Sequence, residues 1–169
     1  MKKIKKNWFI FTLFTLFLGI FSFNCYSQVN IKLARIFCIV SEKYKIPSEL
    51  LVAIAWQESK LNQYAVNLNG QSYFFTNKDK AITFLRRKKY KNYDVGLMQI
   101  NSWWLRKLNI PLEDAFNPQY NLELGTLILK YCYNKYPYYF LSCYHTGRIT
   151  TKGIKYQKKI LQIINFLEK

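Results

Sequence analysis

Leu50-Leu-Val-Ala-Ile-Ala-Trp-Gln-Glu-Ser-Lys-Leu-Asn62 is the stretch from which both the fold and the chemistry of this chain are read. Pro47 precedes it, and proline is tolerated in a first helical turn because its missing N–H would be unpaired there anyway. Leu51, Ile54, Ala55 and Glu58 then follow the spacing of one helical face. The only acid of this stretch therefore sits among apolar residues. Desolvation disfavours the charged form of a carboxyl, which is how a carboxylic acid keeps its proton near neutral pH. A general acid needs that property. The competing readings are a Glu58 paired with a buried Lys or Arg, or a helix rotated so that Glu58 is exposed.

Outward from this helix, most segments carry helical period. Val29 to Tyr44 places Leu33, Ile36, Phe37 and Val40 on one stripe, and Lys45-Ile46-Pro47 breaks it. After Asn62 the pattern changes. Asn67, Asn69 and Gly70 favour turns, Tyr73-Phe74-Phe75 favours a strand, and a short helix is expected from Lys80 to about Arg87. The basic run Arg86 to Lys91 reads as a solvated face. Asn117-Pro118 starts another helix, with Leu122, Gly125, Leu129 and Cys132 on one face and Pro137 beyond its end. Phe140 to Gly147 is a short helix stopped by glycine. The tail, Ile154 to Leu167, is amphipathic through Ile160, Ile163, Ile164 and Leu167. The expected fold class is all-α, with at most a small β hairpin in an insertion over residues 63–92.

The N-terminus has a different character. Lys2, Lys3, Lys5 and Lys6 precede an uncharged, mostly apolar run from Trp8 to Phe23 and a more polar Ser22 to Ser27. That order is the signature of a secretory signal peptide. Residues 1–27 are read as the signal and 28–169 as one folded domain. The expected location is the periplasm, and a membrane is involved only if the segment stays uncleaved as an anchor. Without its four leading lysines the chain keeps 22 of its 26 basic residues against 9 acidic ones, so about +13. Such a balance suits an anionic polymer, and export argues against nucleic acid. Loss of Cys25 leaves Cys38, Cys132 and Cys143, enough for at most one internal disulfide. Cys132 with Cys143, Cys38 with either, or three buried thiols all remain open. No cysteine–histidine cluster has metal-ligand spacing, and His145 is the only histidine. No metal or cofactor is expected.

Four separated motifs resemble one family, the lytic transglycosylases of the goose-lysozyme-like superfamily, in particular the small exported ones that accompany secretion and conjugation systems. Glu58-Ser59 resembles the catalytic motif, and Gly96-Leu97-Met98-Gln99-Ile100-Asn101 the second. Asn117-Pro118 with Asn121 and Gly125 resembles the third, and Tyr144-His145-Thr146-Gly147 the fourth, where Tyr-Asn-Ala-Gly is usual. The match runs from about Ile31 to Leu167. Two departures stand out: the insertion is long, and Gln119 occupies the place where many small members carry a helix-tying cysteine.

The resemblance implies a lysozyme-like fold and cleavage of peptidoglycan between N-acetylmuramic acid and N-acetylglucosamine, leaving a 1,6-anhydro end. One carboxyl, Glu58, would serve as acid and then as base. The resemblance assigns Ser59, Met98, Gln99, Asn101, Tyr144 and His145 to substrate binding. It makes peptidoglycan glycan strands the partner, with an envelope-spanning secretion or conjugation machine as a further one. A hydrolase would normally show a second carboxylate across the bond. Asp94 is the candidate, with a turn-capping role as the competing reading, and Asn101 stands where goose-type lysozymes have an Asp. Tyr73, Phe75, Trp103 and Trp104 are candidates for stacking on sugar rings or for core packing. An inactive, sugar-binding scaffold of an envelope complex is the other class to weigh. The charge makes a first prediction. Binding to isolated cell-wall sacculi should weaken as salt rises, because the Debye length falls to ~8 Å at physiological strength. Binding that is constant with salt would make the basic surface incidental.

Overall fold

The computed structural model describes residues 31–88 and 90–168, with the backbone alone at Lys88. The Trp8–Phe23 run and the expected cleavage after Ser27 lie outside the described residues. The chain divides into Met1–Ala34 and Arg35–Lys169. Of the first unit only Ile31–Ala34 are described, as the opening of helix α1 (Ile31–Tyr44).

Helix α1 buries Ile36, Phe37 and Val40 of its expected stripe, with Leu33 only partly covered. The glutamate helix, α2 (Ser48–Ser59), begins one residue after Pro47, which stands at its N-cap. Leu51, Ala53, Ile54 and Ala55 are completely enclosed, so α2 runs through the centre of the core. It stops at Lys60 and Leu61, both with positive φ, where the Lys60 N–H returns to the Trp56 carbonyl and the Leu61 N–H to the Ala55 carbonyl. Two successive left-handed residues turn the chain sharply away from the helix axis.

A four-stranded antiparallel sheet follows, in the order β2-β1-β3-β4. Strands β1 (Val66–Leu68) and β2 (Gln71–Tyr73) form a hairpin. Its turn is Asn69-Gly70, with φ of 52° and 85°, the left-handed pair that a two-residue hairpin turn requires. Helix α3 (Lys78–Lys88) begins after Asn77, whose side chain accepts the Lys80 N–H at 2.9 Å. Tyr73 and Phe75 lie against Phe84 of α3, with ring centroids at 4.8 and 5.2 Å, and form the small core of this insertion. Strands β3 (Asp94–Val95) and β4 (Ile100–Asn101) lie beyond the segment in which the hairpin was expected. They are two residues long each, and no alternating pattern of that length is readable in a sequence.

The remaining elements are helical. Helix α4 (Ser102–Lys107) is capped by Asn101, and α5 (Leu112–Ala115) is a single turn. Helix α6 (Pro118–Lys135) has Asn117 as N-cap, its side chain accepting the Tyr120 N–H at 3.1 Å. Helix α7 (Phe140–Thr146) ends at Gly147, whose φ of 74° closes the turn. Helix α8 (Thr151–Leu167) opens on the Thr150 cap and buries Gly153, Tyr156 and Ile160. The helix-rich expectation holds, with a small sheet in place of a lone hairpin.

Close approach of helix to turn shapes the centre. A Cβ on Gly125 would stand 2.6 Å from the Met98 Cβ, so only glycine lets α6 and the 96–99 turn pack at this distance. Cys132 of α6 and Cys143 of α7 are joined as a disulfide, with Cα atoms 5.6 Å apart, and Cys38 is a free, exposed thiol. Of the three cysteine readings, pairing across the α6–α7 hairpin is the one found. Closing a loop over a separation of 11 residues restricts the unfolded chain, which is worth ~3 kcal/mol. Replacing both Cys132 and Cys143 by serine should therefore lower stability to denaturant by about that amount. An unchanged unfolding midpoint would assign the helix pairing to packing alone.

Candidate active site

Glu58 occupies the last turn of α2, on the face that is otherwise Leu51, Ile54 and Ala55. Its side chain is 15% exposed, enough to meet a ligand from one side. Among the described residues His145 lies within ion-pair range of it, with Nδ1 3.8 Å from Glu58 Oε1. Of the alternatives weighed for this residue, the exposed helix face is thereby set aside.

Helix α7 carries Tyr144 and His145 to Glu58. The Tyr144 hydroxyl donates to the Met98 carbonyl at 2.7 Å. Burial, and then the negative charges of Glu58 and Asp94, push this phenol well above the ordinary tyrosine range. It stays a proton donor throughout the working range of pH. Met98 is held from the other side as well, its N–H donating to Asn121 Oδ1 at 2.8 Å. Asn121 Nδ2 donates to the carbonyls of Val95 (3.0 Å) and Ala115 (2.8 Å). Gly96 permits this arrangement, with a φ of 80° and the Asn121 amide occupying the space a Cβ would need.

Gln99 also has a positive φ, 48°, a costly conformation for a residue with a side chain. Its amide nitrogen donates to Gly96 O at 2.9 Å and Ala65 O at 3.2 Å, which braces the turn. Asn101 is similarly committed. Its oxygen caps α4 through the Trp103 N–H, and its nitrogen donates to Asp94 Oδ1 at 2.8 Å and Asn92 Oδ1 at 3.0 Å. Asp94 is thus held on β3 by Asn101, its partner across the 96–99 turn. Burial raises its proton affinity above the usual carboxylate range. The hydrogen bond from Asn101 opposes this, and the Glu58 charge adds to it.

The structure therefore brings Glu58, Tyr144 and His145 together, with Asp94 close enough to act on Glu58 by its charge. It separates out two residues of the expected set. Ser59 and Met98 are both 0% exposed. The Ser59 hydroxyl donates to Ala55 O at 2.9 Å, an ordinary helix-end bond. Met98 acts through its backbone and through its packing on Gly125. Neither offers a surface to a sugar. Among the aromatic candidates, Tyr73 and Phe75 are spent on Phe84, whereas Trp103 is half exposed beside Trp104 and beneath the Lys107 ammonium.

One residue escaped the sequence reading. Tyr156 of α8 is 5% exposed and stacks on the His145 ring, with centroids 4.3 Å apart and planes 1° from parallel. Its hydroxyl is buried with no partner at hydrogen-bonding geometry. It nonetheless faces Glu58; burial first, then the Glu58 charge, push it well above the tyrosine range. The signal was available: Tyr156 and Gly153 extend the Ile160 stripe of α8 backwards by helical spacing. Among the described residues no cluster of three His, Cys, Asp or Glu side chains is placed to hold a metal ion, and no helix is long and apolar enough to cross a membrane.

Residues 36–167 match the transglycosylase SLT domain, a span that holds every residue of this site. The chain belongs to that family. It is also similar to type IV secretion system protein virB1 of Brucella abortus, Brucella melitensis and Brucella suis. Each is 31% identical over 94 residues, covering 53% of this chain and 40% of the relative. The chain thus matches less than half the length of these curated relatives. No solved structure matches. Family membership supports a lytic-transglycosylase-type function, and the relatives themselves are named as proteins of a type IV secretion system.

The environment of Asp94 makes a prediction about stability. Its folded-state proton affinity is raised, so the ionised form costs the fold stability above that titration. The cost disappears as pH falls through it. Asparagine keeps an acceptor for Asn101 Nδ2 and cannot ionise. Asp94→Asn should raise the melting temperature at pH 7, with the gain shrinking toward acid pH. A gain independent of pH, or a loss, would show that the carboxylate contributes more as an acceptor than it costs by burial.

Proposed function

We propose that this chain is a peptidoglycan lytic transglycosylase that cleaves the β-1,4 bond between N-acetylmuramic acid and N-acetylglucosamine and leaves 1,6-anhydro ends. The observation that carries the reading is a single glutamate, Glu58, on the buried face of α2, 15% exposed and faced by His145 within an SLT domain. Glu58 gives its proton to the departing glycosidic oxygen. The resulting carboxylate takes the proton of the sugar's own 6-hydroxyl as that oxygen closes on the anomeric carbon. Acid and base are then one group, restored at the end of the cycle. Gln99 and Asn101 shape the wall beside it, and Tyr144 fixes the Met98 carbonyl. Glycan strands of the wall are the substrate, and the strong basic excess favours their capture. The likeness to virB1 supports action beside a type IV-like secretion machine, and the N-terminal pattern supports export to the periplasm by a signal peptide.

A second reading rests on Asp94. Its charge reaches Glu58, and inverting or retaining hydrolases use two carboxylates flanking the bond. In that reading the chain is a goose-type lysozyme-like hydrolase, and its products carry reducing ends. Against it stand the raised proton affinity of Asp94 and its tie to Asn101. A third reading, an inactive peptidoglycan-binding scaffold, predicts no products at all.

Mass spectrometry of muropeptides released from purified sacculi separates the three. Wild-type protein should release anhydro-muropeptides. Glu58→Gln keeps shape and hydrogen bonding but cannot transfer the proton, and it should lose ~10²–10⁴-fold in rate. Asp94→Asn should keep most of the activity. If both variants are folded and equally dead and the wild type yields reducing ends, the hydrolase reading replaces this one.

A further inference from the structure

The first turns of α8 are tied to the wall of the site. The Thr150 N–H donates to Ser142 Oγ at 3.1 Å, and Thr150 Oγ1 donates to Thr146 Oγ1 at 3.2 Å, on the residue next to His145. Further into α8, Tyr156 stacks on the His145 ring with centroids 4.3 Å apart. Lys152 stands four residues before Tyr156 and Lys159 three residues after it, the intervals that bring helical side chains to one side. Lys155 lies three residues after Lys152 and four before Lys159, which completes a stripe. All three lysines are exposed. Asp94, close to Glu58, feels the charge of Lys152. The stripe therefore begins at the site and runs away from it along α8.

This stripe lacks a counter-charge on its own helix. Between Thr151 and Leu167, α8 contains no Asp or Glu. The ion pairs among the described residues involve other groups. Like charges three and four residues apart on a helix repel, and an anion from outside relieves that repulsion. The stretch from Lys152 to Lys159 covers about 10 Å of helix at ~1.5 Å per residue. One carboxylate reaches only one of these turns, whereas a short chain that carries several reaches all of them. On a peptidoglycan strand the peptide-bearing sugars are neutral, and the carboxylates belong to the stem peptides attached to the muramic residues.

We propose that Lys152, Lys155 and Lys159 form a docking track for the acidic stem peptide of a glycan strand lying at Glu58, so that the chain prefers peptide-bearing strands to stripped ones. The proposal rests on peptidoglycan as the substrate, as read above. The lysines do not touch the bond that breaks; they hold the peptide by its carboxylates. Each such exposed contact is weak, and the track works by repeating it along the helix. An anionic lipid surface is the other body that a basic helix meets. An interfacial helix lays an apolar face into the lipid, but the apolar face of α8 around Gly153, Tyr156 and Ile160 is buried in the core. Its exposed apolar residues, Leu161 and Phe166, stand beyond the stripe, at the end far from the site.

The test measures binding by the full chain carrying Glu58→Gln, with soluble peptide-bearing strands from purified walls as the probe. Adding Lys152→Gln, Lys155→Gln and Lys159→Gln together should raise Kd about threefold to thirtyfold, the worth of three exposed ion pairs. Glutamine keeps a long stem and a good helix former at each place. Arginine at the same three positions keeps the charge and should keep the affinity. A control that removes the same net charge elsewhere, Lys45→Gln with Lys80→Gln and Arg87→Gln, alters three exposed residues outside α8 and should move Kd less than about twofold. On strands whose carboxylates are capped as neutral amides, the glutamine variant and its parent should bind alike. Strands stripped of peptide by an amidase keep only the lactyl carboxylate of each muramic ring, and there the difference should largely vanish.

Equal Kd for the glutamine variant and its parent on peptide-bearing strands overturns the proposal. So does an equal loss in the control, which would assign binding to net charge alone. An undiminished loss on stripped strands would move the contact to the lactyl carboxylate and overturn the stem-peptide assignment. A loss confined to vesicles of phosphatidylglycerol in phosphatidylcholine, with none on strands, would make the stripe a membrane surface. None of these results alters anhydro-muropeptide release by the wild type, which tests the catalytic reading separately. A wild type that releases nothing, yet binds peptide-bearing strands through the three lysines, would remove the catalytic reading and keep the track.

Discussion

The Asn121 side chain, 1% exposed, holds the site together from inside the core. It makes three hydrogen bonds and all of them go to backbone: one from the Met98 N–H and one each to the carbonyls of Val95 and Ala115. Those groups belong to the 95–98 segment and to the turn of helix before α6. Left unpaired in the interior each would cost about 1–3 kcal/mol. A single amide therefore fixes the turn that carries Met98, and the Met98 carbonyl in turn fixes Tyr144. His145 is the next residue, and it faces Glu58. The geometry around the glutamate is inherited, step by step, from a residue that never meets solvent.

Packing and chemistry are therefore difficult to separate in this chain. The 96–99 turn is strained at Gln99, a residue with a side chain and a positive φ of 48°. Strain of this kind persists only where the surroundings over-determine the backbone. Here they do. Asn121 holds the turn from below, the Gln99 amide ties it to Gly96 and Ala65, and α6 presses on it through Gly125. The outcome is a rigid floor beside a carboxyl that is still partly accessible. Rigidity of this kind reduces the reorganisation needed as charge develops.

Much of this was legible in the sequence, for identifiable reasons. Every long helix announced itself through apolar spacing, and the caps at Asn117 and Gly147 fell where expected. Glu58 was legible because a lone acid on an apolar face breaks a regular pattern. Strands β3 and β4 were not, being two residues each; β3 pairs with the remote β1, and β4 only with β3. Ser59 and Met98 were placed at the sugar by resemblance, whereas burial gives both to the core. Spacing along a chain identifies a motif but does not say which of its members point inward. Tyr156 was missed because a tyrosine on an amphipathic stripe reads as core filling, and it is core; only the ring it supports gives it further meaning.

The relation between Gly96 and Asn121 also bears on how such a chain can change over time. The space beside Gly96 is filled by the Asn121 amide. A larger residue at 96 would meet that amide and would also be strained by the φ of 80°. A smaller residue at 121, however, releases the Val95 and Ala115 carbonyls and the Met98 N–H all at once. Two residues 25 apart in the chain therefore constrain one segment of backbone together.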